Sequence, residues 1–171
     1  LTGWVAVAVR QAVETACGAP ARIKWLNDIY LNNRKLCGIL TELSLLGESS
    51  EPDYVVIGVG LNLSQTAQTF HDLGLDGIAT SLALEGYEVE PNHMALTLLQ
   101  ELHTMAQHFP SHHEEYLHQY RSHCLTLHQP VEVETGKETY QAVAQAILPD
   151  FSLEVTDQQG FTHPVSSGRV T

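Results

Sequence analysis

The chain has 171 residues, 43 % of them hydrophobic, which is enough for one ordinary domain, or a larger unit with a small one attached, around a real core. With 20 acidic residues against 8 basic ones the formal net charge is −12, which excludes partners that demand a basic face, nucleic acid above all, unless a further segment supplies it. No stretch approaches the roughly 18 consecutive apolar residues of a membrane helix, and Cys17, Cys37 and Cys124, odd in number and far apart, suit a reducing cytoplasm rather than a disulfide framework.

Val5, Ala8, Val9, Ala12, Val13 and Ala16 recur at helical spacing before Gly18 and Pro20, predicting a core-packed helix over Trp4 to Cys17. Arg22 to Trp25 and Ile29 to Leu31 read as extended. Asn32-Asn33 is a turn into a strand from Lys35 to Leu43, giving a hairpin. A polar, acidic loop follows at 47–52, and then Tyr54 to Leu61, the most apolar and β-branched run, reads as a central strand. Thr80 is placed to cap a short helix that ends at Glu85-Gly86. Pro91 opens a longer helix, Met94 to about Phe109, with Leu96, Leu99, Leu102 and Met105 on one face, and beyond Pro110 another runs from Glu114 to Cys124. From about residue 128, short alternating stretches separated by turns at Thr135-Gly136-Lys137 and Asp157 to Gly160 predict a small antiparallel β-barrel. The expected division is 1–127, an α/β (α+β) unit with a mixed sheet flanked by helices, and 128–171, a small β unit.

Three stretches carry the chemistry: Lys24-Trp25-Leu26-Asn27-Asp28, then Arg34-Lys35-Leu36-Cys37-Gly38-Ile39-Leu40-Thr41-Glu42, then Val56-Ile57-Gly58-Val59-Gly60-Leu61-Asn62-Leu63. Each sets polar or basic groups, or glycines that admit a ligand to backbone, beside a buried strand. Together they suggest a site for an anionic, partly apolar small molecule. Singly they are weak. Lys35 alone would be a solvated strand-edge lysine, Asn27-Asp28 a turn, and a lone G-x-G a bulge rather than a dinucleotide fingerprint, since no third glycine and helix follow. Cys37 is expected to be a small core residue, and the scattered histidines, including His108, His112, His113 and His118, a solvated face rather than a metal site.

In this order and spacing the three stretches resemble the catalytic core of biotin protein ligases, whose pattern reads approximately K-W-P-N-D, R-K-[LV]-x-G-I-L-x-E and [VI]-G-x-G-[IL]-N. Ser166-Ser167-Gly168-Arg169-Val170 is similar to the S-G-[ED]-[VI] end of their C-terminal domain. The resemblance implies a fold like that of class II aminoacyl-tRNA synthetases with an SH3-like barrel at the C-terminus. It also implies an ATP-dependent enzyme that forms biotinyl-5′-adenylate and passes biotin to a lysine of a biotin carboxyl carrier domain, with ATP and Mg2+ as cofactors. By resemblance Lys35 meets the biotin carboxylate and phosphate oxygens, with Lys24 a second charge. Gly38, Ile39, Gly58, Gly60 and Leu61 line the biotin pocket, Asn27 and Asn62 contact the adenylate, and Asp28 orders the loop, orients a lysine or holds magnesium. Two positions depart from the pattern. Leu26 replaces the family proline, which predicts a less rigid turn, and Arg169 replaces an acidic residue.

The family's glycine- and arginine-rich loop, approximately G-R-G-R-x-G-R, does not occur in these 171 residues. The expectation is therefore a fragment, opening on Leu1 and entering a helix almost at once, that is inactive or weak alone and has apolar sheet edges left open. A homodimer is left open. The alternatives are a lipoate ligase and a non-catalytic module or repressor that binds biotinyl-adenylate.

Overall fold

The computed structural model describes residues 1–46, 52–136 and 138–171. Two antiparallel sheets organise it. The first has the order β1 (Arg22–Lys24), β2 (Asp28–Leu31), β3 (Arg34–Leu45) and β4 (Pro52–Leu61). Asn32 and Asn33, at φ 49° and 61°, make the tight β2–β3 turn, a conformation asparagine tolerates better than most residues. Helix α1 (Thr2–Cys17) lies against one face of this sheet. It is buried almost all round from Gly3 to Arg10, which explains its broad apolar composition, and Gly18 ends it in the left-handed conformation with its N–H on the Glu14 carbonyl. Behind α1 pack α3 (Pro91–His108) and α4 (His113–His123), where Trp4 stacks on Tyr116 at 4.1 Å. A short helix, α2 (Ala67–Asp72), is capped by the Thr66 hydroxyl, which accepts from the Thr69 N–H.

The second sheet contains β5 (Pro130–Glu134), β6 (Thr139–Ile147), β7 (Leu153–Asp157), β8 (Thr162–Val165) and β9 (Arg169–Val170), in the order β8-β7-β6-β5-β9. Val131, Val133, Ala142, Ala144, Leu153 and Val155 alternate inward and join one continuous core with α1 and the first sheet. Trp25 fastens the two parts: its indole N–H donates to the Phe151 carbonyl (2.9 Å) and its backbone N–H to the Thr126 hydroxyl (3.0 Å).

Four expectations are corrected here. The strands of the first sheet pair antiparallel throughout, where a mixed sheet was expected. Strand β4 lies at the edge of its sheet rather than the centre, with Tyr54 58 % and Val56 49 % exposed; apolar composition reports what a strand can bury, not which neighbours it finds. On α3, Leu96 and Leu99 point outward while Met94, Thr97 and Met105 are buried, so the inward stripe is rotated from the one its leucines suggest. Thr80 does not cap a helix: the Ser81 hydroxyl accepts the Leu84 N–H instead, and the helix shrinks to one 3-10 turn, Ala83–Glu85, closed by Gly86. The acidic loop expected at 47–52 and Lys137 of the expected hairpin turn fall, apart from the strand start at Pro52, outside the described residues.

Candidate functional site

Strand register brings the motifs together. Lys24 pairs with Asp28, Asp28 with Gly38, and Gly38 with Gly60, so four motif residues form a single cross-strand row over β1 to β4. Partners in such a row present the same face. The neighbouring row, Ile23, Ile29 and Cys37, is buried toward α1, which leaves the Lys24–Gly60 row on the opposite side.

A register shift in β3 then re-aims Lys35. Ile29 pairs with Cys37 but Tyr30 pairs with Lys35, leaving Leu36 as an extra residue. Plain alternation would send Lys35 to the core with Cys37 and Ile39. The bulge reverses it, and Lys35 shares the Gly38 face: a Cβ added at Gly38 would stand 3.3 Å from Lys35 Cε and 3.7 Å from Asp28 Oδ1. Lys35 Nζ lies 2.7 Å from Asp28 Oδ1, with the two side chains 39 % and 23 % exposed. Where Gly38 and Gly60 present no side chain, a trough opens beside the amine.

This trough is part of a cleft of about 410 Å³ lined by Lys35, Cys37, Gly38, Gly60 and Asn62 on one side and by Gln65, Phe70, Leu73 and Ala79 among others on the opposite one. Its apolar wall comes from the segment that follows β4, which none of the three motifs reaches. The available signal was the Thr66-x-x-Thr69 cap followed by Phe70, Leu73 and Leu75. The Gln65 side-chain oxygen is buried there with no hydrogen-bond partner among the described residues, an acceptor that a ligand N–H would satisfy. Asn62 is fixed by three bonds: its Nδ2 donates to the Thr80 carbonyl (3.0 Å), its N–H to the Leu36 carbonyl, and its own carbonyl accepts from Leu82.

The remaining expected residues lie outside this lining. Ile39 is buried in the core, on the face of β3 away from Lys35 and Gly38. Gly58 pairs with Leu40, two pairs further along β4, and Leu61 is partly buried against the core. Asn27 joins the sheet, its Nδ2 donating to the Ile39 carbonyl (2.6 Å) and its carbonyl accepting the Ile39 N–H. Lys24 Nζ sits 5.3 Å from the centre of the Tyr30 ring. Burial lowers its ammonium from the usual lysine range, Asp28 opposes, and Arg169 and Lys35 add to the lowering. The peptide bond before Leu26 is cis. Burial pushes the Cys37 thiol up to about 12, so it is no nucleophile at neutral pH. Among the described residues no cluster of three or more His, Cys, Asp or Glu could hold a metal. A wider depression, about 800 Å³, lies over the second sheet beside Tyr140, Asp157 and His163, and no residue of the three motifs reaches it, so volume does not locate the site.

An amine held by a carboxylate, beside a side-chain-free trough and an apolar wall, can fix an anionic group and shelter the apolar body attached to it. The family model of the biotin/lipoate A/B protein ligase family matches residues 2–62 of the chain. The chain resembles biotin protein ligases over that stretch and beyond it. It is 31 % identical to the biotin–[acetyl-CoA-carboxylase] ligase of Mycobacterium tuberculosis over 98 % of this chain and 62 % of that protein. To the bifunctional ligase/repressor BirA of Bacillus spizizenii it is 46 % identical over 48 % of this chain and 25 % of that protein. The chain thus spans a quarter to under two thirds of the length of these relatives. Its fold matches the apo structure of a biotin protein ligase from Aquifex aeolicus with a TM-score of 0.83 at 20 % identity, covering 99 % of this chain and 72 % of that one. A structure of the Aquifex enzyme in complex with biotin and ATP matches with a TM-score of 0.78.

Proposed function

We propose that this chain forms part of an enzyme that activates biotin with ATP and transfers it to a lysine of a biotin carboxyl carrier domain. The observation that supports this most is the Lys35 amine at 2.7 Å from Asp28, over the Gly38–Gly60 trough. In the first step a biotin carboxylate oxygen bonds to the α-phosphorus of ATP while the bond to the β-phosphate bridging oxygen breaks and pyrophosphate leaves. Two anions meet in that step, and a fixed ammonium offsets their repulsion best where water is excluded. Lys35 is assigned this charge, with Asp28, 2.7 Å from its amine, to hold it in position. In the second step a carrier lysine amine attacks the acyl carbon, AMP leaves with its phosphate oxygen, and the amine loses a proton.

Asn62 and Asn27 are assigned to the nucleotide. Asn27 has spent one amide hydrogen on the strand, which leaves its oxygen and second hydrogen for adenine. Gly38, Gly58, Gly60 and Leu61 are assigned to the biotin side and Lys24 to a supporting charge. Magnesium usually takes one or two carboxylates and completes its shell with phosphate and water, so Asp28, a single carboxylate beside the expected phosphates, suits it. Residues 128–171 are assigned as the SH3-like unit of a synthetase-like fold. Lacking a G-R-G-R-x-G-R sequence, the 171-residue chain by itself is expected to turn over little.

The test is a thermal-shift titration of the chain with non-hydrolysable analogues of biotinyl-adenylate and lipoyl-adenylate, alongside biotin-dependent ATP–pyrophosphate exchange. Stabilisation by the biotinyl analogue alone is expected. Stabilisation only by the lipoyl analogue, or by neither at millimolar concentration, refutes the assignment, and robust exchange by the isolated chain refutes its expected weakness.

A further inference from the structure

One buried carboxylate outside the three motifs holds the cleft together. Glu85, whose side chain is only 5 % exposed, ends the 3-10 turn. It accepts three hydrogen bonds: from the Thr80 hydroxyl (2.5 Å) and Arg34 Nη2 (2.6 Å) on Oε1, and from Asn32 Nδ2 (2.6 Å) on Oε2. Asn32 and Arg34 belong to the β2–β3 hairpin that carries Lys35, and Thr80 belongs to the segment that forms the far wall. Bonds to a buried carboxylate are the strong kind, and losing one partner leaves a costly orphan.

What Thr80 does with its backbone gives the carboxylate a function. The Thr80 N–H donates to the Lys35 carbonyl (2.9 Å), while the Lys35 N–H donates to the Ile78 carbonyl (2.8 Å), so the wall grips the lysine from both sides. The Thr80 carbonyl accepts from Asn62 Nδ2. One threonine thus sets the main chain of Lys35 and the amide plane of Asn62, and its hydroxyl is tied to Glu85. We propose that Glu85 is a positioning residue: it locks the hairpin turn to the 78–86 segment so that Lys35 and Asn62 face the cleft together. Burial by itself would raise the Glu85 carboxyl, but the bonds from Thr80 and Asn32 and the charge of Arg34 outweigh it and hold the group below the ordinary carboxylate range. The carboxylate is therefore ionised, the form that accepts all three bonds.

The consequence for ligand binding rests on the adenylate-forming function proposed above; the mechanical role does not. The experiment follows backbone amide exchange and the Asn62 side-chain amide signals by nitrogen-15 NMR in the full chain, in wild type and in Glu85→Gln. Glu85→Gln is expected to speed exchange at Thr80 and Lys35 by roughly tenfold or more through local opening, and to move the Asn62 amide pair toward solvent values. Val131 and Val155, in the other sheet, should keep their protection. Unchanged Thr80 and Asn62 signals would overturn the proposal, and so would an equal loss of protection everywhere, which is the signature of a residue that only stabilises the fold. Thr80→Val, close to isosteric, supplies the second arm: it must reproduce the Asn62 change, including where Glu85→Gln does not fold, and its failure to do so also overturns the proposal. In the same samples, affinity for the biotinyl-adenylate analogue is expected to fall roughly tenfold, the factor that about 1.4 kcal/mol corresponds to. Failure of the wild type to bind the analogue would sink the functional assignment alone, because the exchange result still judges Glu85.

Discussion

Replacing Gly3 with alanine tests how the second sheet is seated on the first unit. A Cβ at this position would stand 2.2 Å from Cδ1, 2.6 Å from Cγ and 2.7 Å from Cε1 of Phe151. Ordinary carbon–carbon contact is roughly 3.5–4.0 Å, so the ring must retreat by more than about 1 Å. It has nowhere easy to go. Tyr120 and His113 meet it edge to face at 5.3 and 5.6 Å, and its carbonyl is the acceptor for the Trp25 indole. Phe151 also sits at φ 67°, a left-handed conformation that a bulky residue keeps only where its surroundings hold it. Overpacking of this kind costs about 1–3 kcal/mol, while alanine in a helix recovers at most about 1 kcal/mol over glycine. The expected net loss is about 1–2 kcal/mol, which for a chain of this size lowers Tm by about 2–8 °C. Urea unfolding of Gly3→Ala, Phe151→Ala and the double variant supplies the assay. With the ring gone, alanine at position 3 should be neutral or slightly stabilising, giving a coupling of about 2 kcal/mol. A neutral Gly3→Ala, or the same cost with and without the ring, would refute the argument that Phe151 is wedged against α1.

Lys35→Ala in a preparation active for pyrophosphate exchange should reduce the rate by about 10²–10³, the usual cost of removing one group that stabilises developing charge; a loss of only a few fold would show that Lys35 does not meet the reacting anions. Trp25→Phe keeps an aromatic ring, though a smaller one, and leaves the Phe151 carbonyl without its donor; it should destabilise by about 1–3 kcal/mol in urea melts, and an unchanged midpoint would mean that the bond contributes nothing net. Glu85 has its carboxyl held low in the folded state, so its contribution is present above the unfolded value of 4.5 and is lost as pH falls through the lower folded value. The stability gap between wild type and Glu85→Gln should close on acidification below that point, and a gap independent of pH would argue against a charged acceptor. Cys37 behaves in the opposite sense. Its thiol is raised from 9.0 to about 12, so the stability it contributes is intact below 9 and is lost as pH rises through that window. Cys37→Ser should flatten the alkaline limb of the stability profile, and at neutral pH Cys17, which is part-exposed, should be alkylated before the buried Cys37 and Cys124.

Composition, periodicity and turn chemistry made most of the elements legible. The αL glycine after α1, the Asn32-Asn33 turn, Pro91 at the start of α3 and the alternation of Val131 with Val133 are local rules, and the chain obeys them locally. The three motifs marked Lys35, Asp28, Gly38, Gly60 and Asn62 by type and order. Placement was harder, because it depends on partners distant in sequence. Strand β4 looked central because it is apolar, yet it ends the sheet. Nor could local alternation place Lys35 and Ile39: the extra residue at Leu36 sends Lys35 to one face and Ile39 to the other.

Most helices, strands and turns were readable from the chain alone, since propensity, capping and turn preferences act over a few neighbouring residues. Only the tertiary structure decided that Lys24, Asp28, Gly38 and Gly60 share one row and that the 65–79 segment walls the cleft. It alone showed Glu85 closing on Asn32, Arg34 and Thr80. Register and long-range hydrogen bonds are set by which buried groups find partners across about fifty residues of chain, and no local pattern encodes that outcome.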